Sequence, residues 1–243
     1  MTSCLVSRLE RYVALADSEK RFIEEMERNE RKAKSHTPLN RIGDPVGELY
    51  VLKYGWAVAR SPRIDGRSQI VGIYLPGEVI GLAEIAPGHA IYDLSMQTDG
   101  TICPFPRQAM AEMFARAPRL SALFIALGSI DQLALRRRIV SLARRPARAR
   151  LIDFLLTLRD RLAVADVGSG QRIHLPFSQA EIGDVVGLTS VYINKLLRRL
   201  VEEGLIEIDR PYLRILRPDL MEDEVDHEDI HSRIDKSWFP EAP

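Results

Sequence analysis

The polar side chains with the clearest chemical meaning lie close together near residue 195. At ~100° per residue in a helix, Asn194, Lys195 and Arg198 share one side with Val191. The other side collects the apolar residues Ile193, Leu196, Leu197 and Leu200. An amide can pair bidentately with adenine, and cations attract phosphate or guanine. The stretch therefore predicts a helix that is anchored by its leucines and offers its cationic side to nucleic acid.

The residues before this helix predict a second one. Ser178 and Glu181 have the spacing of a capping box, so a helix should begin there. Gly187 supplies the left-handed backbone that ends it, and Thr189 can cap the next helix. Two such helices followed by a short hairpin are typical of a winged helix-turn-helix, whose second helix enters the major groove of DNA. An amphipathic helix pair with a solvated charged face is the alternative interpretation.

We expect DNA contacts from both helix starts and from the outward side of the second helix. The predicted set is Ser178, Gln179, Thr189, Ser190, Val191, Tyr192, Asn194, Lys195, Arg198 and Arg199. Val191 could touch a thymine methyl group, and Asn194 could read adenine. Lys195 could contact guanine or phosphate, and phosphate contact alone is the alternative for each cation. Solvent exposure is the alternative for Ser190.

The first half of the chain has a different texture. Residues 1–34 place apolar side chains at helical spacing in a charged background, which predicts amphipathic helices. Residues 35–116 carry short apolar and β-branched runs separated by turns of Gly, Pro and Asp, which predicts a small all-β domain. The pair Asp65-Gly66 is a strong hairpin signal between two of these runs.

The second half begins with a long helix. Residues 117–145 predict this helix and a hinge, because Pro146 interrupts the hydrogen-bond ladder. Its apolar stripe recurs at the spacing of a coiled-coil seam and consists of Leu120, Leu123, Leu127, Ile130 and Ala134. We expect this stripe to form a homodimer, and packing on the chain's own β domain is the alternative. Residues 146–218 form the predicted DNA-binding domain.

Charge is distributed unevenly along a chain whose formal net charge is +0. Residues 144–218 hold 13 Lys and Arg against 9 Asp and Glu, a net of +4, which supports phosphate contact. Residues 219–243 hold 2 against 9, a net of −7. We expect this acidic tail to be a solvated, poorly ordered extension. A sharper hypothesis is that it screens the cationic DNA-binding part or contacts a partner through Trp238-Phe239.

Composition argues against several classes of protein. No apolar run approaches the ~20 residues of a membrane span, and the N-terminus lacks a signal-peptide segment, so we expect a cytoplasmic protein. Cys4 and Cys103 are too few for the four thiolates of a typical iron–sulfur cluster, and we expect free buried thiols, with redox sensing as the alternative. No catalytic constellation is recognisable by spacing, so an enzyme is not supported, and we expect no metal site.

The order of these elements resembles the cyclic-AMP receptor protein/fumarate-nitrate regulator (CRP/FNR) family of bacterial transcription factors. The most specific motifs are LPGEVIG at residues 75–81 and QAEIGDVVGLTSVYINKLLRRL at residues 179–200. The resemblance implies an α+β fold with a cyclic-nucleotide-binding-like β-roll, a long dimerisation helix and a C-terminal winged helix-turn-helix. It also implies a homodimer that binds a two-fold operator in double-stranded DNA and contacts RNA polymerase.

The chain departs from the cyclic-AMP-binding members of the family in the β-roll. Leu82 stands where those members have a Glu for the ribose, and Tyr92-Asp93-Leu94 replaces the Arg-Ser-Ala whose Arg pairs with the phosphate. A buried phosphate without a cation is expensive, so we expect no control by cyclic AMP. The remaining candidate effector-pocket residues are Gly77, Glu78, Ile80, Gly81, Leu82, Tyr92 and Asp93. The β-roll is then either a pocket of altered chemistry or a structural clamp.

The DNA-reading motif also departs from the family pattern. Ser190 and Val191 replace the Arg or Glu of many members, and Lys195 replaces an Arg. Lys lacks the fork geometry with which Arg pairs guanine, so we expect altered operator specificity. The alternative function is an effector-independent or sensory module whose winged helix binds a protein partner.

Overall fold

The computed structural model describes residues 3–62, 64, 68–165 and 172–241. The chain forms two compact units, the first comprising Met1–Gly128 with Ile234–Pro243 and the second comprising Ser129–Arg233. This division differs from the predicted one, because the boundary falls within the long helix rather than at the proline that follows it. The end of the chain also belongs to the first unit instead of forming a separate tail.

Short strands in the first unit confirm the predicted β domain. They are β1 (Arg31–Ala33), β2 (Pro38–Asn40), β3 (Glu48–Tyr54), β4 (Ala57–Pro62), β5 (Ser68–Tyr74), β6 (Val79–Ile80), β7 (Asp93–Met96) and β8 (Gly100–Pro106). They pair antiparallel in sheets with the orders β1-β8-β3-β6 and β2-β7-β4-β5. The pairing of β4 with β5 confirms the hairpin, while its predicted turn at Asp65-Gly66 lies outside the described residues.

The core of this β-roll is filled with side chains that alternate along the strands. Alternation places every second residue of a strand on the same face of its sheet. The core members are Tyr50, Leu52, Ala57, Ala59, Ile80, Leu94, Met96 and Ile102. Full burial of a Leu or Met side chain contributes roughly 1.5–3 kcal/mol, so this cluster stabilises the domain by packing alone.

The helices predicted in residues 1–34 are α1 (Cys4–Leu9) and α2 (Asp17–Met26). The Ser3 hydroxyl caps α1 by accepting the Val6 N–H at 2.9 Å. Buried apolar residues along both helices, among them Leu5 and Ile23, anchor the pair in the first unit.

The long helix is α4 (Pro118–Arg144), which follows α3 (Ala109–Arg116) and ends at the Arg145-Pro146 break, as predicted. The predicted dimer seam is wrong for its first residues, because Leu120 and Leu123 are fully buried within their own chain. Leu127, Ile130 and Ala134, on the same side, are half-buried. The large apolar residues that α4 exposes are Ile125, Leu133, Leu135, Ile139 and Val140. At ~100° per residue these lie on the opposite side of the helix.

The second unit continues with α5 (Ala147–Val164), β9 (Arg172–His174), α6 (Gln179–Val186), α7 (Ser190–Glu202), β10 (Ile206–Asp209), β11 (Tyr212–Ile215) and α8 (Pro218–Val225). The strands form a sheet of order β10-β11-β9, so the predicted wing is present. α5 packs against α6, α7, α8 and β9 and is the central support of this unit.

The prediction that the acidic tail is a solvated extension is wrong. Its first residues form α8, and Met221 and Val225, one helical turn apart, are buried while α8 packs on α5. Near the end of the chain, the Lys236 ammonium donates to the carbonyl oxygen of Tyr12 at 3.0 Å. A short apolar stripe within this strongly acidic segment therefore packs α8 on α5. Across the described residues, no helix combines the length and apolar character needed to cross a membrane.

Candidate nucleic-acid interface

The two helices α6 and α7 begin with the predicted caps. The Ser178 hydroxyl accepts the Glu181 N–H at 3.2 Å, and the Glu181 carboxylate accepts the Ser178 N–H at 2.9 Å, so the capping box is complete. The Thr189 hydroxyl accepts the Tyr192 N–H at 3.3 Å. Each cap satisfies a backbone donor that the helix itself leaves unpaired and contributes ~1 kcal/mol. Local sequence therefore fixes where both helices start.

Two glycines allow α6 and α7 to approach closely. Gly187 ends α6 with a φ of 68°, in the left-handed region that glycine adopts without strain. The Leu188 N–H donates to the Gly183 carbonyl at 2.9 Å. A Cβ on Gly183 would lie 2.3 Å from the Leu188 carbonyl oxygen, so any side chain there would displace the turn. The angle between the helices therefore depends on both glycines.

α7 has the two faces that the sequence predicts. Its buried side comprises Ile193, Leu196, Leu197 and Leu200. Its other side exposes Lys195, Arg198 and Arg199, and Val191 is 79% exposed at the start of the helix. Within the described residues, none of these three cations lies within salt-bridge distance of a carboxylate. An exposed cationic face next to an exposed helix start suits a polyanionic groove.

Some residues of the predicted DNA-contacting set also have structural partners. The Asn194 side-chain amide donates to the Gln179 side-chain oxygen at 3.0 Å and is half-buried. This bond ties the start of α6 to the middle of α7. For Asn194 to read adenine, its side-chain amide must therefore break this hydrogen bond to Gln179 or donate to both partners. Ser178 and Thr189 likewise serve as caps, whereas Ser190 and Tyr192 are exposed.

The far end of α6 has partners that sequence reasoning missed. Arg138 of α4 donates from Nη2 to the Val185 carbonyl at 3.2 Å. Arg150 of α5 donates from Nη1 to the Val186 carbonyl at 3.0 Å and to the Gly187 carbonyl at 3.3 Å. Burial lowers the pKa of Arg138. The sequence contains a signal for the burial of Arg138, because this residue continues the stripe of α4 that the chain buries.

Arg148 on α5 connects the ends of α7 and α8. Its guanidinium donates to both carboxylate oxygens of Glu203 at 3.0 and 2.6 Å, and to Glu224 at 2.7 Å. Bidentate pairs of this kind are stronger and more directional than single contacts. These hydrogen bonds, first to Glu224, raise the pKa of Arg148 above its usual range.

The side chain of His227, just beyond α8, is 6% exposed and lies between two aspartates of α5. Its Nε2 lies 2.6 Å from the Asp160 carboxylate and its Nδ1 lies 3.6 Å from that of Asp153. Burial alone would lower the pKa of His227, but hydrogen bonds and charge from Asp153 and Asp160 raise it to about 9. Asp160 also pairs with Arg159, which reaches Glu222 of α8 at 2.6 Å. The His227 imidazolium therefore contributes to the attachment of the tail to α5.

These contacts change the hypothesis that the tail screens the DNA-binding part. Glu222, Glu224 and Glu228 pair with arginines of α5 and α4, and none of these partners lies on α7. The tail therefore neutralises the supporting helices and leaves the cations of α7 exposed. Trp238 is half exposed and stacks edge-on with Phe239.

Several of the predicted effector-pocket residues have partners within the β-roll. Ile80 belongs to the β-roll core, and Tyr92 packs against that core. The Asp93 carboxylate accepts the Ile42 N–H at 3.0 Å. Leu82 is half-buried and apolar. Neither the apolar Leu82 side chain nor the Tyr92 phenol carries a charge.

The loop LPGEVIG at residues 75–81 of the β-roll packs against α1 instead. Glu78 accepts a hydrogen bond from Arg8 at 2.8 Å and another from the Leu75 N–H at 2.9 Å. A Cβ on Gly77 would lie 2.9 Å from the Arg8 Cβ. Gly81 has a φ of 98°, and a Cβ there would meet a Leu49 methyl at 2.8 Å. The glycines of this loop thus serve close packing.

Both cysteines are free thiols, and Cys103 is buried while Cys4 is half-buried. Burial, followed by the charge of Glu27, raises the pKa of Cys4 to about 12 and that of Cys103 to about 11. Protonated thiols are poor nucleophiles, so this environment disfavours redox sensing.

Comparison with known proteins gives two matching family descriptions. A Crp-like helix-turn-helix domain matches residues 149–224, and a cyclic nucleotide-binding domain matches residues 30–117. The first range extends into α8, in agreement with the packing of that helix on α5.

Similar proteins of known role cover most of the chain. The transcriptional regulatory protein Btr of Bordetella pertussis is 24% identical over 215 residues, 88% of each chain. The transcriptional activator protein Anr of Pseudomonas aeruginosa is 27% identical over 196 residues, 80% of this chain and 79% of Anr. Among solved structures, FixK2 from Bradyrhizobium japonicum shares the fold with a TM-score of 0.72 at 20% identity, covering 80% of this chain and 96% of FixK2.

Proposed function

The chain belongs to the CRP/FNR family of bacterial transcription regulators, and we propose that it binds a two-fold operator as a homodimer and acts through RNA polymerase. Its helix-turn-helix domain is the DNA-binding part. A two-fold dimer presents two copies of α7 to successive major grooves, ~34–36 Å apart along one face of the duplex. A two-fold operator is the sequence counterpart of that symmetry.

The observation that carries this proposal is the outward face of α7. Lys195, Arg198 and Arg199 are exposed and unpaired with carboxylates within the described residues, while the leucines of the same helix are buried. A cluster of exposed cations creates a positive potential that attracts a polyanion. We expect exposed Val191 and Ser190 at the start of the helix to meet base edges, and the cations to meet phosphate or guanine.

The dimer contact is best supported on the exposed side of α4. Ile125 and Ile139 are 53% and 66% exposed and are separated by two heptads, with Leu135 and Val140 beside them. Clustered apolar side chains exposed on one helix mark an association surface. This face replaces Leu120 and Leu123 of the predicted seam, which the chain uses for its own packing.

We propose that cyclic AMP does not control this regulator. The support is chemical: by the resemblance, Leu82 and Tyr92 occupy the positions where the nucleotide-binding members supply a ribose acceptor and a phosphate cation. The β-roll then serves as a structural clamp, or it takes an effector of different chemistry. In the first case the cellular amount of the protein sets promoter occupancy.

Selection from random duplexes with the 243-residue chain tests the proposal. We expect an inverted repeat with half-sites about one helical turn apart, and a dimer by light scattering. Addition of cyclic AMP is expected to leave affinity for the selected operator unchanged, and the bound protein is expected to alter initiation by purified RNA polymerase. Failure to enrich any duplex would contradict the proposal and favour a protein partner for the winged helix.

A further inference from the structure

The last carbonyl groups of α6 are bound by guanidinium groups from two other helices. A helix leaves its final carbonyls without backbone partners, and its C-terminus carries a partial negative charge. Here Arg138 Nη2 donates to the Val185 oxygen at 3.2 Å, and Arg150 Nη1 donates to the Val186 oxygen at 3.0 Å. A cation at this end of a helix is favourable both as a donor and as a charge.

The two arginines come from opposite sides of the proline break. Arg138 lies on α4 before Pro146, and Arg150 lies on α5 after it. Leu142 of α4 also lies against the turn, because a Cβ on Gly187 would be 3.1 Å from both its Cδ2 atom and the Arg150 Nη1 atom. The final turns of α4 are therefore fastened to the end of α6 by a hydrogen bond and an apolar contact, all within the second unit.

This attachment connects the dimer helix to the helix that contacts DNA. α6 packs directly on α7, and Asn194 is bonded to Gln179 at the other end of α6. A displacement of the end of α6 therefore moves α7 with it. In a homodimer joined along α4, the distance and rotation between the two α7 helices depend on how each α4 holds its own α6.

We propose that Arg138 and Arg150 are positioning residues that set the half-site spacing which the dimer accepts. The inference rests on the proposed homodimer and adds to it the side chains that fix its geometry. Neither arginine needs to touch DNA. Arg138 acts at the dimer side of the break and Arg150 at the DNA-binding side, so loss of either leaves α6 held from one side only.

A purely stabilising role for these arginines makes a different prediction. If they only cap α6, their loss lowers the unfolding temperature and weakens binding to every duplex by the same factor. If they position α7, their loss weakens binding to the best-spaced operator while affinity for a single half-site is kept. The dependence of affinity on spacing therefore separates the two roles.

The test uses Arg138→Met in the 243-residue chain, which keeps an unbranched, largely apolar stem but removes the donor. Arg144→Met is the matched control, because Arg144 is an exposed arginine of the same helix for which the described residues show no hydrogen-bond partner. Affinity is measured at low salt for one half-site and for paired half-sites whose separation is changed by one or two base pairs in either direction. The half-site sequence is the one that selection with the wild type returns.

We expect the wild type and Arg144→Met to lose at least about 30-fold in affinity when the spacing changes by one base pair, the size of a mismatch penalty. Arg138→Met should bind the best-spaced operator about 10-fold more weakly than the wild type does. A change of spacing should lower its affinity by less than about a further 5-fold, and its affinity for a single half-site should stay within about 3-fold of the wild-type value. Arg150→Met should behave similarly. A wild-type spacing profile in both variants would overturn the inference alone, whereas equal affinity of the wild type for single and paired half-sites would overturn the homodimer as well.

Discussion

Gly183→Ala tests whether the close approach of α6 and α7 is required. The new Cβ would lie 2.3 Å from the Leu188 carbonyl oxygen, against a normal contact of about 3.3 Å. The turn must move by about 1 Å and strain the hydrogen bond from Leu188 to residue 183. Overpacking costs about 1–3 kcal/mol and the weakened bond about 1 kcal/mol, while the better helix propensity of Ala offsets about 1 kcal/mol. The net loss of unfolding free energy is about 2 kcal/mol.

The assay combines thermal unfolding with operator binding. A loss of about 2 kcal/mol corresponds to a fall in the unfolding temperature of roughly 10 °C for a unit of this size. Displacement of α7 should remove about one good base contact per half-site, which weakens operator binding about 100-fold. Gly204→Ala is the control, because its φ is +69° and nothing lies within 4 Å of the new Cβ. It should lose about 1 kcal/mol of stability and no affinity. Wild-type melting and binding in Gly183→Ala would refute the reasoning.

Three further predictions follow from buried and exposed side chains. The pKa of His227 is raised from 6.5 to about 9 in the folded chain, so the charged imidazole stabilises the fold by at most about 3 kcal/mol. This stabilisation is complete below pH 6.5 and disappears as pH rises through 9. Urea unfolding of His227→Gln should therefore show no such loss of stability between pH 6.5 and 9. Ile139→Glu should give a folded monomer by light scattering, whereas Leu120→Glu should lower unfolding stability by about 3 kcal/mol or more; a dimeric Ile139→Glu protein would place the interface elsewhere. A thiol reagent at pH 8 should modify Cys4 and Cys103 at least about 100-fold more slowly than a free thiol, and rapid labelling would reopen redox sensing.

The helix-turn-helix could be predicted in detail because its signals are local. A capping box, a left-handed glycine and a 3.6-residue apolar period act within a few residues of one another, so Ser178, Gly187 and the leucines of α7 behave as the sequence indicates. The bond between Asn194 and Gln179 could not be predicted in this way. It depends on the angle between two helices, which no local pattern specifies.

The two errors on α4 and the tail have a common physical origin. Periodicity identifies an apolar face but not the surface that covers it, and Leu120 and Leu123 are covered by their own chain. The exposed face containing Ile139 is interrupted by polar residues, so its periodicity does not identify it. Net charge gave a similar error in the tail, because two well-spaced apolar residues, Met221 and Val225, together with carboxylate–arginine pairs, offset the charge of the segment.

The most direct test of the account is the affinity of Lys195→Ala/Arg198→Ala for the selected operator. Both side chains are exposed on α7, so the double variant should melt like the wild type but lose operator binding by at least about 100-fold, with a shallower salt dependence. Arg28→Ala/Lys32→Ala removes the same charge from exposed positions of the first unit and should bind normally. Undiminished operator affinity in the α7 double variant would contradict the central claim that this face of α7 binds DNA.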